Sequence, residues 1–378
     1  MTSHAKVLYI PWYPSSFFEE QSQLLSDEYP YKVLMGNVSF VGRRARLIRF
    51  IKRKANETFS LSSKNGIPYV SLTIPKYVEN RGLKQIETSV EYVGKVIADL
   101  FGGQKPQIIH IQSLSDFSVF AAIWAKRNNV PVVLSEHILY VRRDFSPFTR
   151  LKERQYSESN RILCVSNYQY RNLLTNGFVM NDVSIVGNMI DDRFVPKDIE
   201  TKERNGKLLF VAYHLGDKCF DVLMALASML KGVCSIDVAG LDENREYKSS
   251  KLIDLLKEKG VDKTITLMGM YNHEDLLKLY SEYSLLISTS RSETFGLSVA
   301  EAIAYGTPVV CTDSGGIHEF VNDENGIIVD IGDVNGLKDA IFHALNKKYD
   351  RKCMSQRILM KYGREQFKKK LLNIYSSL

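Results

Sequence analysis

Cysteine is scarce. Cys164, Cys219, Cys234, Cys311 and Cys353 are the five in 378 residues, odd in number, far apart and forming no C-x-x-C pair. This argues against a disulfide framework and a structural zinc site, and makes a reducing cytosol the expected compartment. No apolar run approaches the ~20 residues that span a bilayer. The N-terminus does not read as a leader, because Lys6–Ile10 runs into Pro11 as a short buried strand would. Internal repeats, low-complexity tracts and heptads are lacking. So are the P-loop, G-x-G-x-x-G, H-E-x-x-H and G-x-S-x-G motifs. Simple nucleotide hydrolysis, Rossmann redox chemistry, zinc proteolysis and serine hydrolysis lose support accordingly.

What is present is an ordinary globular mixture, 44% apolar and 25% charged, in a chain long enough for two domains. The net charge of +7 is unevenly spread. Through Val195 there are 25 Lys and Arg against 17 Asp and Glu, and beyond it 25 against 26. The excess positive charge therefore lies in the first half, which is expected to meet something acidic.

Short apolar runs alternate with helical patterns, the signature of parallel sheets covered by helices. The first series of expected strands is Lys6–Ile10, Tyr31–Met35, Tyr69–Leu72, Gln107–Ile111, Val132–Ser135, Arg161–Val165 and Val183–Val186. The second is Lys207–Val211, Ser235–Ala239, Thr264–Met268, Leu285–Ser288, Pro308–Thr312 and Gly326–Val329. Between them the polar stretch Asp192–Gly206, with Pro196, reads as a linker. The chain closes in a basic helical tail from Met354 to Tyr375. Two doubly wound domains follow, with ligand expected beyond the C-terminal ends of the strands.

The most informative stretch runs from Ser288 through Arg291-Ser292-Glu293-Thr294-Phe295-Gly296 into a helix near Leu297 that carries Glu301. Gly296 permits close backbone approach, and the first helical turn suits phosphate. Either glutamate can accept hydrogen bonds from sugar hydroxyls. Alone, the stretch reads equally well as an amphipathic helix with solvated carboxylates. Its continuation, Glu301-Ala302, Ala304, Gly306, Pro308-Val309-Val310 and the Gly315-Gly316 turn with Glu319, resembles retaining glycosyltransferases of family 4, whose fold is GT-B. Cys164-Val165-Ser166, Asn188 with Asp191, and the opening Trp12-Tyr13-Pro14 are similar to the family more loosely. That opening resembles a subset that builds cell-surface polysaccharides.

The resemblance implies two Rossmann-like domains facing across a cleft. Residues 1–195 would bind the acceptor, 196–206 would link, 207–355 would bind a nucleotide-sugar, and 356–378 would form a helix returning to the first domain. It implies Glu301 on the ribose, Glu293 and the backbone of Phe295, Gly296 and Leu297 on the donor sugar, and Lys218 on the diphosphate. Gly240 and Met270 would complete the donor site, and His137 would lie beside the transferred sugar. His110, inside a strand, reads as a packed core residue. The family needs no metal and no cofactor beyond the nucleotide-sugar.

In the segment Ala212–Cys219 the sequence departs from the family. Tyr213 holds the position of a phosphate-binding arginine, His214 stands beside it, and Cys219 replaces a glycine. Tyrosine and histidine as neutral donors, Arg291 as the substitute cation, and reduced activity all remain open. A nucleotide-sugar-binding partner subunit with little transferase activity is the alternative from another class. An epimerase or phosphorylase of the same architecture is the enzymatic one.

The basic half has its own focus. Seven cations crowd Arg43–Lys54, and on a helical wheel Arg43, Arg46, Arg49 and Arg53 share a side opposite Leu47, Ile48 and Ile51. Such a helix suits anionic lipid or a lipid-linked acceptor at the inner face of the cell membrane, and reads alternatively as a solvated face. Nucleic acid is not expected, since no aromatic-interleaved pattern accompanies the charge.

Overall fold

The structure, a computed structural model, describes residues 5–12, 16–41, 59–64, 66–75, 80–140, 147–201, 205–212, 218–241 and 249–378. The chain divides into two compact units. One comprises Met1–Val165, Gln169–Val186 and Lys368–Leu378, the other Ser166–Tyr168 and Gly187–Phe367.

The first unit is built on six parallel strands in the order β2-β1-β6-β7-β8-β9. They are β1 (Val7–Pro11), β2 (Tyr31–Val33), β6 (Ile108–Gln112), β7 (Val132–Glu136), β8 (Arg161–Cys164) and β9 (Val183–Ile185). β6 and β7 are buried at every position, as strands covered on both faces must be. The covering helices include α1 (Ser16–Leu24), α2 (Asn80–Leu100), α3 (Ser118–Arg127), α4 (Pro147–Glu158) and α5 (Asn167–Thr175). On α2, Ile86, Val90, Val93 and Ile97 recur at helical spacing and are all buried, which fixes the face turned to the core. From the chain's end, Tyr375 joins this unit, its hydroxyl 2.8 Å from that of Tyr9.

A second, three-stranded sheet corrects the expected strand series. β3 (Met35–Val41), β5 (Ile67–Pro75) and β4 (Phe59–Lys64) lie in the order β3-β5-β4, with β4 antiparallel. Tyr31–Met35 is thus not one strand, because the chain leaves the main sheet after Val33. Tyr69–Leu72 belongs to the small sheet, and β4 was not anticipated. Val41, expected at the start of the basic helix, ends β3, and residues 42–58 lie outside the described ones.

The second unit holds β10 (Leu208–Val211), β11 (Ile236–Ala239), β12 (Ile265–Gly269), β13 (Leu285–Ser288), β14 (Val309–Thr312) and β15 (Gly326–Val329). Their order is β12-β11-β10-β13-β14-β15, all parallel. Counted within the unit this is 3-2-1-4-5-6, the doubly wound arrangement whose order reverses between its first and fourth strands. The helices are α6 (Phe220–Met229), α7 (Ser249–Glu258), α8 (His273–Tyr280), α9 (Leu297–Ala304), α10 (Val334–Asn346) and α11 (Arg351–Tyr362), followed by α12 (Arg364–Ser376). Asn272 caps α8 by accepting from the Asp275 N–H at 2.9 Å. The expected single C-terminal helix is broken at Gly363. A β-carbon there would lie 2.7 Å from the Leu359 carbonyl oxygen.

Candidate functional site

The reversal point of the second unit lies where the C-terminal ends of β10 and β13 adjoin. The loop after β13 is pinned there by side-chain bonds to backbone. Thr289 Oγ1 donates to the Lys218 carbonyl at 2.6 Å, and Thr312 Oγ1 donates to the Ser290 carbonyl at 2.5 Å. The loop also pairs with the turn after β14: Glu293 N–H donates to the Ser314 carbonyl (2.7 Å) and Gly316 N–H to the Glu293 carbonyl (2.9 Å). This seating explains Gly316, where any β-carbon would collide with the carbonyls of Thr294 and Glu293.

The seated loop presents the Glu293 carboxylate to Lys218. Lys218 Nζ is 2.5 Å from Glu293 Oε1, which also accepts from Ser290 Oγ at 2.8 Å. Both ionic side chains are largely buried, 23% and 16% exposed, so the pair is weakly screened and holds its geometry. Gly296 then turns the chain into α9 at φ +86°. A β-carbon there would approach Ile317 Cγ2 to 2.8 Å, on top of the left-handed penalty. Phe295 is fully buried, edge-on to Tyr362 with ring centroids 5.0 Å apart.

About one turn into α9, Glu301 is only 4% exposed. The Tyr280 hydroxyl donates to its Oε2 at 3.0 Å, and His273 Nε2 lies 3.4 Å from Oε1. Burial, with the carboxylate's negative field, holds the Tyr280 phenol far above its ordinary range. Tyr280 is therefore a fixed neutral donor that orients one oxygen of Glu301.

The other residues singled out in the sequence fall as follows. Gly240, at φ +94° after β11, donates its N–H to the Gly269 carbonyl at 2.8 Å, and a β-carbon there would lie 3.0 Å from the Ala212 carbonyl oxygen. Met270 follows β12 and is half exposed. Leu297 opens α9. Cys219 caps α6 at φ +47°, the conformation that favours the glycine it replaces. Its sulfur accepts from Arg291 Nε at 3.0 Å. Tyr213, His214, Arg43, Arg46, Arg49 and Arg53 lie outside the described residues.

In the first unit, His137 directly follows β7. Its Nε2 is 2.9 Å from Gln112 Oε1, and its ring stands edge-on to Phe18 at 5.3 Å. His110 is a buried core residue as expected, with Nδ1 2.6 Å from the Tyr375 hydroxyl and Nε2 2.7 Å from Ser135 Oγ. Burial, and secondarily the charge of His137, pushes its pKa down to about 3. Sequence reasoning thus places Lys218, Glu293 and Glu301, and the structure bonds the first two directly. It misses Gln112, His273 and Thr289, whose partners lie 25 to 71 residues away. Among the described residues, no helix is long and apolar enough to cross a membrane.

Two Rossmann-like units of this topology define the GT-B architecture of glycosyltransferases. Solved structures agree on the fold. HepE from Anabaena, determined in complex with UDP, superimposes with a TM-score of 0.72 over 99% of this chain and 100% of its own, at 16% identity. Sucrose-phosphate synthase from Thermosynechococcus elongatus gives 0.69 over 99% and 98%, at 15% identity. Two family models match in succession, "Glycosyltransferase Family 4" over residues 56–194 and "Glycosyl transferases group 1" over residues 191–365. The chain belongs to glycosyltransferase family 4. Among curated relatives, D-inositol 3-phosphate glycosyltransferase of Mycolicibacterium smegmatis is 32% identical over 132 residues. That is 35% of this chain, and the match spans 30% of the relative's length.

Proposed function

We propose that the protein is a retaining glycosyltransferase that moves a sugar from a nucleoside diphosphate donor to an acceptor hydroxyl. The observation that carries this reading is the Lys218–Glu293 pair at the reversal point of the second sheet, with Glu301 behind it on α9. A cation, a helix N-terminus and two carboxylates in series match the parts of a nucleotide-sugar: diphosphate, hexose hydroxyls and ribose hydroxyls. Complexes of HepE with UDP and with UDP-glucose make uridine donors the first to try.

In the reaction, the bond from the anomeric carbon to the β-phosphate oxygen breaks. The acceptor oxygen forms its bond on the same face, and its proton passes to the departing phosphate oxygen. Lys218 and the first turn of α9 stabilise the negative charge that grows on that phosphate, so no metal ion is invoked. Glu293 accepts from hydroxyls of the transferred sugar. Positioning, rather than a protein nucleophile, supplies the rate. The acceptor is assigned to the first unit. It is lipid-linked or saccharide, of the kind used in cell-surface polysaccharide assembly, and the basic segment Arg43–Lys54 brings the protein to the inner membrane face.

A thermal-shift panel of uridine, guanosine and adenosine diphosphates and their sugars tests the donor site. A cognate ligand at 100 times its Kd adds about 2.7 kcal/mol. Lys218→Met should weaken the diphosphate about tenfold or more and the monophosphate less. No shift with any member of the panel refutes the reading. Binding without transfer assigns the protein to the partner-subunit alternative, and an inverted anomeric product refutes retention.

A further inference from the structure

Two residues that the donor reading leaves unused, Cys219 and Arg291, meet next to the Lys218–Glu293 pair. Cys219 directly follows Lys218, and Arg291 precedes Glu293 by two positions. One side chain ties both stretches together. Thr289 Oγ1 donates to the Lys218 carbonyl at 2.6 Å and reaches the Cys219 carbonyl at 3.2 Å. The turn into α6 is therefore fixed against the loop after β13.

Cys219 holds a strained position. It is buried, and its φ of +47° is a left-handed conformation, costly for an L residue and nearly free for glycine. Strain of this kind persists where the residue has a task. Its sulfur accepts from Arg291 Nε at 3.0 Å. A glycine would relieve the backbone but remove the acceptor.

The contact leaves most of the guanidinium for a ligand. Arg291 is exposed, and the sulfur engages Nε alone. Among the described residues nothing else accepts from it, so the four N–H bonds on Nη1 and Nη2 remain available. The sulfur, and after it the field of Asp221 on the first turn of α6, raise the Arg291 pKa, yet no carboxylate among the described residues forms an ion pair with it. Lys218, by contrast, is neutralised by Glu293. A diphosphate bridge carries two negative charges, and that pair offers it no net positive charge. Arg291 does.

We propose that Arg291 is a second diphosphate-binding cation of this site, and that Cys219 is the positioning residue that holds its Nε so that Nη1 and Nη2 meet phosphate oxygens. The inference rests on the proposed function. Arginine suits the task because its planar fork binds two phosphate oxygens at once, where lysine acts as a point charge. The cysteine at a glycine position thus brings in, from the loop after β13, a cation that Tyr213 cannot be.

The test is calorimetric titration of the full-length protein with uridine, guanosine and adenosine diphosphates, each beside its monophosphate. Arg291→Gln should weaken the diphosphate that binds about tenfold or more, and its monophosphate within about threefold. Arg291→Lys should recover part of the loss. Cys219→Ala and Cys219→Ser keep the same strained backbone and differ in the acceptor. Alanine should weaken the diphosphate about threefold or more, and serine within about twofold. In the Arg291→Gln background, Cys219→Ala should add no further loss, because the two residues act through one contact. An Arg291→Gln protein that binds the diphosphate as the wild type does overturns the proposal, as does one that loses both nucleotides equally. A further threefold loss on combining the two changes overturns the role of Cys219. A wild type that binds none of the six nucleotides sinks the proposed function and this inference with it.

Discussion

Tyr280→Phe isolates a single hydroxyl and is the sharpest test of how the donor site is built. The ring is fully buried and would stay so, since the substitution leaves no appreciable cavity. What goes is the 3.0 Å bond to Glu301 Oε2. The carboxylate is 4% exposed and cannot turn to water for a replacement. A hydrogen bond to a charged group is worth about 1.5–3 kcal/mol, which for a unit of this size corresponds to a fall in Tm of roughly 3–12 °C. The second contact of Glu301, to His273 at 3.4 Å, is too long to compensate.

Pairing the change with Glu301→Gln turns it into a cycle. With the charge gone, the Tyr280 hydroxyl is worth about 1 kcal/mol, so the two changes should couple by about 0.5–2 kcal/mol. The functional arm uses a ribonucleoside diphosphate and its 2′,3′-dideoxy analogue in calorimetric titrations. The wild type should prefer the ribonucleotide about tenfold or more, and Glu301→Ala should lose the preference. If Tyr280→Phe is silent while His273→Ala is costly, the orientation argument fails. If Glu301→Ala keeps the preference for ribose, the ribose assignment fails.

Three further outcomes follow from other parts of the molecule. Burial lowers the His110 pKa from 6.5 to about 3, so the unfolded chain takes its proton first as pH falls. Stability should be complete above about pH 6.5 and decline towards pH 3, by about 2 kcal/mol at pH 5. Urea midpoints against pH should show a flatter slope in His110→Asn, and equal slopes refute the point. Gly296→Ala meets Ile317 and the left-handed backbone together, and should cost about 2 kcal/mol or more with loss of donor binding; an unchanged Tm refutes it. Replacing Arg43, Arg46, Arg49 and Arg53 by Gln should weaken sedimentation with anionic phospholipid vesicles, at about 1 kcal/mol per charge, and leave the nucleotide-induced Tm shift intact. Undiminished sedimentation makes this segment a solvated face.

The sheets were legible where burial leaves one choice. β13 and β14 are four-residue strands, each of three apolar residues and a terminal hydroxyl residue, buried at every position, and such runs announce themselves. β4, Phe-Ser-Leu-Ser-Ser-Lys, is mostly exposed and offers no such run, yet Asn65-Gly66 between it and β5 is the strongest short hairpin signal there is. Glu293, Gly296 and Glu301 were legible because one strand, loop and helix carry all three. Their partners were not, since Lys218 reaches Glu293 from 75 residues away and Tyr280 reaches Glu301 through the packing of α8 on α9. The replaced glycine at Cys219 was visible in the sequence, but its reason, a left-handed N-cap, is a backbone property. Gln112 shows the deepest limit. It directly follows the expected strand Gln107–Ile111, where ligand-facing residues gather in a parallel sheet. An amide does not titrate, however, and residue type alone ranks it below the two histidines it joins. Its carbonyl oxygen lies 2.9 Å from His137 Nε2, a contact that becomes visible only when sheet register sets β6 beside β7.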